Sequence, residues 1–167
     1  AWPCFVVQNE GRYAVVGLPC VCKAIRLAQN QSKKLRNRIS VVLGLVCGKQ
    51  QSKYYAQRVS RMAGMTEPPV SVCFRNKREG IPATNIIFSA FSNNETKSEI
   101  QGTDGVSKLW TDGVYTLKSC YYCDDVFAEC ADASFMDAWL PEYLHDSKGT
   151  SLVITRKPGI VLQEDTL

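Results

Sequence analysis

The stretches RYAVVGLPC at residues 12–20 and ISVVLGLVCG at residues 39–48 decide the fold of this chain. Each contains a β-rich apolar run that a glycine interrupts and a cysteine follows, which is typical of a buried strand. Pro19 suits the first turn of a helix, and a second helical pattern extends from Gln51 to Ala63. Two strand–cysteine–helix units in succession predict βαβ construction with a parallel pair of strands.

The rest of the chain completes a predicted α/β fold. Further strands are predicted at three places: Val70–Phe74, Thr84–Phe91 and Ser151–Thr155. Between them we expect a basic connector at residues 33–38, a polar hairpin or surface loop at 92–108, and a short helix at 126–131. The prediction is one α/β domain over residues 1–167, with a mixed, partly parallel sheet flanked by helices and cysteine-bearing loops at the strand ends.

The composition is that of an ordinary globular protein, with 45% hydrophobic and 22% charged residues among 167. It excludes long disorder, collagen and coiled coil, and no apolar run approaches the roughly 18 residues of a membrane helix. The N-terminus lacks the pattern of a signal peptide, so we expect a cytoplasmic protein.

Charge is distributed unevenly along the sequence. Residues 1–80 hold 14 Lys and Arg against 3 Asp and Glu, whereas residues 81–167 hold 6 against 13. A basic half can bind the phosphates of nucleic acid or of a dinucleotide cofactor. The alternative is that the two halves simply face each other.

Eight cysteines are the one unusual feature of the composition. Cys120 and Cys123 form a CxxC pair, and Cys20 and Cys47 each follow a predicted strand, which makes the minimal set for a four-thiolate site. Four thiolates suit either tetrahedral zinc or an iron–sulfur cluster. Their wide separation along the chain favours a cluster seated in a larger domain, with zinc, a redox disulfide and buried thiols as the alternatives.

Several motifs, taken in order, resemble those of one family: Val16-Gly17-Leu18-Pro19-Cys20, Leu45-Val46-Cys47-Gly48, Phe74-Arg75-Asn76-Lys77, Cys120-Tyr121-Tyr122-Cys123-Asp124-Asp125, and Glu129-Cys130-Ala131-Asp132 followed by Asp137-Ala138-Trp139. Over about residues 12–160 the chain is similar to the C-terminal domain of the coenzyme F420 hydrogenase/dehydrogenase beta subunits. Members usually carry an N-terminal, often ferredoxin-like segment, and we expect this chain to be the part without it.

The resemblance implies cofactors and the residues that hold them. Members are flavoproteins that carry a [4Fe–4S] cluster, and here the implied ligands are Cys20, Cys47, Cys120 and Cys123, with Cys22 as the alternative to Cys20. For FAD pyrophosphate or the acidic tail of the deazaflavin, the candidate anion site is a loop with three cations: Arg75, Lys77 and Arg78. A second candidate site for a phosphate or ribityl chain lies before a predicted strand: Gly149, Thr150 and Ser151. A solvated loop and a hairpin turn are the alternatives for these two segments.

The function that the resemblance implies is electron transfer. The chain is expected to be an iron–sulfur flavoprotein subunit that transfers electrons between iron–sulfur hydrogenase or dehydrogenase subunits and coenzyme F420, through FAD. The cofactors carry such chemistry, so no catalytic side chain is expected. The alternatives are a flavoprotein that reduces another organic acceptor, and a zinc-binding structural or nucleic-acid-binding module.

Overall fold

The computed structural model describes residues 2–82, 84–93 and 97–160, which fall into two compact units interleaved along the chain. The first unit comprises Ala1–Gly48, Cys123–Met136 and Ser151–Leu167. The second unit comprises Lys49–Tyr122 and Asp137–Thr150. The single domain expected over residues 1–167 stays a prediction.

Five α-helices, three short 3₁₀ helices and seven strands make up the regular structure of the described ranges. The helices are α1 (Trp2–Gln8), α2 (Pro19–Gln31), α3 (Lys33–Arg38), α4 (Lys53–Met62) and α5 (Val106–Asp112). The strands are β1 (Tyr13–Gly17), β2 (Ile39–Leu45), β3 (Ser71–Cys73), β4 (Ile87–Phe91), β5 (Lys97–Gln101), β6 (Ala133–Asp137) and β7 (Ser151–Thr155). None of the helices in the described part of the chain has the length and apolar character that crossing a bilayer requires.

The first unit contains a four-stranded sheet in the order β1-β2-β6-β7. The pairs β1–β2 and β2–β6 are both parallel, with Val15 opposite Val42 and Leu45 opposite Phe135. Helix α2 begins at Pro19, directly after β1, as Pro at the first helical position favours. The predicted α/β class with a mixed, partly parallel sheet is confirmed.

The basic segment at residues 33–38 is a helix and not the predicted connector. Ser32 caps α3 by accepting a hydrogen bond from the backbone N–H of Leu35 at 3.4 Å. Arg36 donates to the carbonyl of Gln29 near the end of α2, and Arg38 donates to the carbonyls of Val6 and Val7 in α1. Cations at these positions satisfy carbonyls that a helix leaves unpaired at its C-terminus, so two of the basic side chains hold helix ends.

The core of the first unit joins residues from distant parts of the chain. Its buried apolar members are Val6, Cys22, Ile25, Leu35, Ile39, Val42, Ala128 and Ala131. The last two lie in the segment predicted as a short helix, and that prediction is wrong. Ala128 has a φ of 53°, a left-handed conformation that cannot continue a right-handed helix. The segment forms turns instead. Just before β6 begins, the backbone N–H of Asp132 donates to the Val42 carbonyl at 2.8 Å.

The second unit contains an antiparallel sheet in the order β3-β4-β5. The strand predicted from Thr84 begins only at Ile87. Part of the segment 92–108, expected to be a hairpin or surface loop, is strand β5, which pairs antiparallel with β4. The rest of the expected loop at 92–108 holds a short 3₁₀ helix at Gly102–Asp104 and the start of helix α5. Gly113, which ends α5, has a left-handed φ of 70°. Its core gathers six buried residues: Tyr55, Val59, Met65, Phe88, Ala90 and Val106.

Candidate functional site

Two of the predicted thiols lie where the parallel strands of the first unit end. Cys20 is in the first turn of α2, directly after β1, and Cys47 comes two residues after β2. Because β1 and β2 are parallel neighbours, both cysteines follow the carboxyl edge of the same sheet, the usual location of ligand sites in α/β folds. Cys20 is exposed and Cys47 is half-buried.

The segment that carries Cys123 is bonded to both of these regions. The backbone N–H of Cys47 donates to the Val126 carbonyl at 3.1 Å. Lys23, one turn after Cys20 on α2, forms an ion pair with Asp124 at 3.0 Å. This hydrogen-bonded ion pair lowers the pKa of Asp124 and raises the pKa of Lys23. Three thiol-bearing segments of the first unit are thus tied together at one edge of its sheet.

Cys22 differs from its neighbour Cys20 in its surroundings. It is fully buried in the core of the first unit, and its thiol donates to the Gly17 carbonyl at 3.5 Å. Burial raises the pKa of Cys22, whereas a metal or cluster ligand must be a thiolate. The exposed Cys20 is therefore the better candidate of the two.

Cys120 belongs to the second unit, in a short 3₁₀ helix at Lys118–Tyr122. Its sulfur accepts a hydrogen bond from the backbone N–H of Gln50 at 3.3 Å. Within the described ranges, no three His, Cys, Asp or Glu side chains gather closely enough to hold a metal ion. The chain offers thiols, which are the ligands of a cluster, and the predicted set of four stays a prediction.

The second unit contains a cavity of about 670 Å³, within the range of about 300–1,000 Å³ of small-molecule and cofactor sites. Its lining combines aromatic, cationic and amide side chains: Lys49, Gln50, Gln51, Tyr55, Phe74, Arg75, Thr84, Ile86, Ser107, Trp110, Thr111, Asp137 and Trp139. We refer to it as the aromatic pocket. Of the residues predicted for the two anion sites, Arg75 is the one that lines this pocket.

Tyr55 organises the aromatic wall of this pocket. Its ring stacks on that of Phe74, with the ring centroids 6.0 Å apart and the planes inclined by 16°. It meets the Trp110 ring edge-on, with a centroid distance of 5.9 Å and an interplanar angle of 75°. Burial raises the pKa of Tyr55. Phe74 and Trp110 remain about two-fifths exposed, so apolar ring surface is left open for a planar ligand.

Two cations flank the aromatic pocket. Arg75 pairs with Asp137 at 2.7 Å and lies over the Trp139 ring, 5.6 Å from its centroid. Lys49 lies 5.7 Å from the centroid of the Trp110 ring. Such cation–π contacts hold the positive groups beside the rings, where an anionic part of a ligand can reach them.

The other predicted anion-site residues are engaged elsewhere. Lys77 donates to the carbonyl of Lys148, and Arg78 pairs with Glu99. Glu99 also accepts from Lys97 and Ser89, and these contacts lower its pKa to about 2. Of the three cations in the loop, Arg75 is the one that lines the aromatic pocket.

The glycine and hydroxyl segment before β7 is divided by the fold. Gly149 and Thr150 belong to the second unit and line a small recess with Arg75 and Lys77. Ser151 belongs to the first unit, where it begins β7. A shared phosphate site at these three residues stays a prediction.

Gln51 is one of several residues of the aromatic pocket that the sequence did not indicate as a site. Both its amide oxygen and its amide nitrogen are buried and make no hydrogen bond with any residue that the structure describes. An isoalloxazine ring needs apolar walls along its faces, and the partly exposed rings of Phe74 and Trp110 in this pocket offer them. The residues present therefore fit a flavin. Trp139 carried a signal in the motif Asp137-Ala138-Trp139, whereas Trp110 lies outside every motif and element predicted from the sequence.

Comparisons with known proteins identify the family. No curated protein matches the chain. A solved chain of the F420-reducing [NiFe] hydrogenase complex from Methanosarcina barkeri matches with 19% sequence identity and a TM-score of 0.45, over 75% of this chain and 39% of that one. This chain thus spans well under half the length of that protein. The sequence profile for the C terminus of the coenzyme F420 hydrogenase/dehydrogenase beta subunit matches residues 10–160. The predicted family is confirmed, and the chain belongs to the C-terminal region of the coenzyme F420 hydrogenase/dehydrogenase beta subunits.

Proposed function

We propose that this chain is part of an iron–sulfur flavoprotein subunit that transfers electrons between an iron–sulfur partner and coenzyme F420, with FAD in the aromatic pocket. Membership of a hydrogenase/dehydrogenase beta-subunit family supports an oxidoreductase. The observation that carries the flavin is the aromatic pocket itself, with open ring surface beside two cations.

The residues of the aromatic pocket would divide the work of binding. Phe74, Trp110 and Trp139 would pack against the ring system and exclude water from its faces. Arg75 and Lys49 would meet the negatively charged phosphates, Arg through paired hydrogen bonds and Lys as a point charge. When bound, FAD supplies the conversion between hydride transfer and single-electron transfer.

The cluster and the partners form the second part of the proposal. Cys20, Cys47, Cys120 and Cys123 are the proposed ligands of a [4Fe–4S] cluster, since each is a thiol within a motif of the family. Iron–sulfur hydrogenase or dehydrogenase subunits in the cytoplasm are the proposed partners, and coenzyme F420 is the proposed acceptor. A related flavoprotein acting on another organic acceptor would use the same pocket.

The proposal is tested on the chain produced and purified without oxygen. We expect FAD to bind, as measured by the quenching of its fluorescence, and we expect iron and sulfide to be present in equal amounts. Zinc without flavin would instead support the metal-binding module. A chain that neither retains nor takes up FAD contradicts the proposed function.

A pair of variants tests whether the aromatic pocket holds the flavin. Trp110→Ala removes a ring that lines the pocket, and stacking on such a ring is worth about 1–3 kcal/mol. FAD affinity should therefore fall at least about fivefold. Tyr54→Ala is the matched control, because Tyr54 is an exposed aromatic residue of α4 that does not line the pocket. Equal FAD affinities of the two variants would place the flavin elsewhere.

A further inference from the structure

The aromatic pocket adjoins the small recess that Gly149 and Thr150 line in the second unit. Four residues line both cavities: Arg75, Thr84, Asp137 and Trp139. The recess also has a second cation, Lys77, in its wall. A ligand that extends from the pocket into the recess must therefore pass the four shared residues, which we call the shared border.

The Asp137 carboxylate offers an acceptor at the shared border. Its Oδ2 accepts a hydrogen bond from Arg75 Nη1 at 2.7 Å, whereas its Oδ1 makes no hydrogen bond with any residue that the structure describes. The side chains of Arg75 and Asp137 are 44% and 46% exposed. A ligand in the aromatic pocket can therefore reach both groups.

Arg75 and Asp137 present hydrogen-bond donors beside an acceptor. An ionised carboxylate only accepts, so it calls for a hydroxyl or an N–H of the ligand, whereas a guanidinium is suited to phosphate. The carboxylate repels a phosphate, which would therefore bind on the side of the arginine. The pair fits a ligand in which hydroxyl groups and a phosphate follow one another, as in a phosphorylated polyol.

The aromatic pocket adds a planar group to this ligand. Phe74 and Trp110 leave ring surface open in the same pocket that Asp137 lines. A ring, a polyol chain and a phosphate in succession match the order of pocket, shared border and recess. Asp137 then lies beside the chain that connects the ring to the phosphate.

We propose that Asp137 is a specificity-determining residue of the aromatic pocket, with Oδ1 accepting a hydrogen bond from a hydroxyl group of the polyol chain of the ligand. The inference rests on the proposed function, because flavin nucleotides and 5-deazaflavin coenzymes both carry a ribityl chain between the ring and the phosphate. It gives Asp137 a direct contact with the ligand in addition to its ion pair with Arg75.

The test compares the affinities of the whole chain for riboflavin and for lumiflavin, which has a methyl group in place of the ribityl chain. The wild type should prefer riboflavin. In Asp137→Ala this preference should fall at least about fivefold, because a hydrogen bond to a charged group is lost. An unchanged preference in Asp137→Ala, or no preference in the wild type, would overturn the inference and leave the proposed function intact.

A second comparison separates this contact from the positioning of Arg75. FMN differs from riboflavin by one phosphate, so the preference for FMN over riboflavin reports on the cation. Arg75→Gln should reduce that preference and keep the preference for riboflavin over lumiflavin. Asp137→Ala should keep the FMN preference or increase it, since a negative charge beside the phosphate is removed. Loss of the FMN preference alone in Asp137→Ala would show that Asp137 only positions Arg75, which refutes the inference.

Asp112→Ala is the matched control for the loss of an ion-paired carboxylate. Asp112 pairs with Lys108 at 2.8 Å, its side chain is 44% exposed, and it is not among the residues that line either cavity. This variant should keep both preferences. The melting temperatures of the two alanine variants should stay close to that of the wild type, because exposed ion pairs contribute little to stability. Asp137→Asn retains the shape of the side chain with a neutral and weaker acceptor, and its riboflavin preference should lie between those of Asp137→Ala and the wild type.

Separate titrations with FAD and with coenzyme F420 identify the source of the polyol chain. A fall in affinity of at least about fivefold for FAD in Asp137→Ala would assign the residue to the flavin, and the same fall for coenzyme F420 alone would assign it to the deazaflavin. Wild-type affinity of Asp137→Ala for both ligands contradicts the inference. Failure of the wild type to bind either ligand contradicts the proposed function as well.

Discussion

Glu99 is the carboxylate of the second unit's small sheet that contacts the most polar side chains in its surroundings: Arg78, Lys97, Asn76 and Ser89. From β5 it accepts hydrogen bonds from Lys97 and Ser89, and it pairs with Arg78. The Asn76 amide also donates to it at 3.1 Å. The ion pair with Glu99 holds Arg78 at the sheet. Arg75 is the cation of the same loop that lines the aromatic pocket.

The stability of the chain should depend on pH through Glu99. Its folded-state pKa of about 2 lies below the ordinary value of 4.5, so the contacts of the carboxylate stabilise the fold fully above pH 4.5. This stabilisation is lost as the pH falls from about 4.5 towards 2, because the carboxylate must then be protonated. Thermal melts across this range should show a steeper loss for the wild type than for Glu99→Gln. Parallel pH profiles of the two proteins would contradict the role of Glu99, and added salt should reduce their difference.

At the scale of elements, the predicted strands that were confirmed have strong local signals. β1 and β2 are apolar runs bounded by glycine, and β7 coincides with the predicted Ser151–Thr155. The elements that were missed depend on contacts that no local pattern contains. β6 has no long apolar run and becomes a strand by pairing with Leu43 and Leu45 of β2. A basic hexapeptide becomes α3 because its arginines bind the carbonyls of two other helices.

The candidate site also has a part that could be predicted from the sequence and a part that could not. That Cys20 and Cys47 follow one edge of a sheet could be predicted, because parallel strands bring their carboxyl ends to the same side. The aromatic pocket could not, because its lining comes from segments as far apart as Lys49, Phe74, Trp110 and Trp139. Sequence reasoning found Arg75 by local charge, and Gln51 has no such signal.

The packing of β2 against the turn at residues 128–131 leads to a prediction about Gly44. A Cβ at this position would come within 2.4 Å of Ala128 Cβ and 3.0 Å of Ala131 Cβ. Gly44→Ala should therefore lower the free energy of unfolding by about 1–3 kcal/mol, through overpacking. Urea denaturation measures the change. Gly48→Ala is the control, since in the part of the chain that the structure describes nothing beyond its chain neighbours lies within 4 Å of the added Cβ. The stability of this variant should stay close to that of the wild type.

For the whole molecule, the uneven charge of the sequence does not persist in the two units. The first unit holds 9 Lys and Arg against 7 Asp and Glu, and the second holds 11 against 9. The reason is that the acidic segment at 123–136 returns to the basic N-terminal part, where Asp132 pairs with Arg26 at 2.8 Å. The basic half therefore does not form a separate cationic unit, which weakens the nucleic-acid alternative.

The interleaving of the chain also predicts how its pieces behave. A peptide of residues 1–48 contains α1 to β2 but lacks Ala128 and Ala131 of the core and the strands β6 and β7. So short a chain cannot bury enough apolar surface to offset its conformational entropy. Its far-UV circular dichroism should be that of an unfolded chain, in contrast to the intact protein. A cooperative thermal transition of the peptide would contradict this expectation.

The order in which the chain is made gives the interleaved arrangement a further consequence. Synthesis proceeds from the N-terminus, so the first unit is the first to be started and the last to be finished. Its central strand β2 needs β6 on one side, and β6 needs β7, so this sheet is completed only when residue 155 has left the ribosome. Until residues 128–131 emerge, Ile25 and Val42 lack the alanines that cover them in the finished core. The nascent chain therefore carries an uncovered apolar surface until those residues emerge, and we expect ribosome-associated chaperones to bind it.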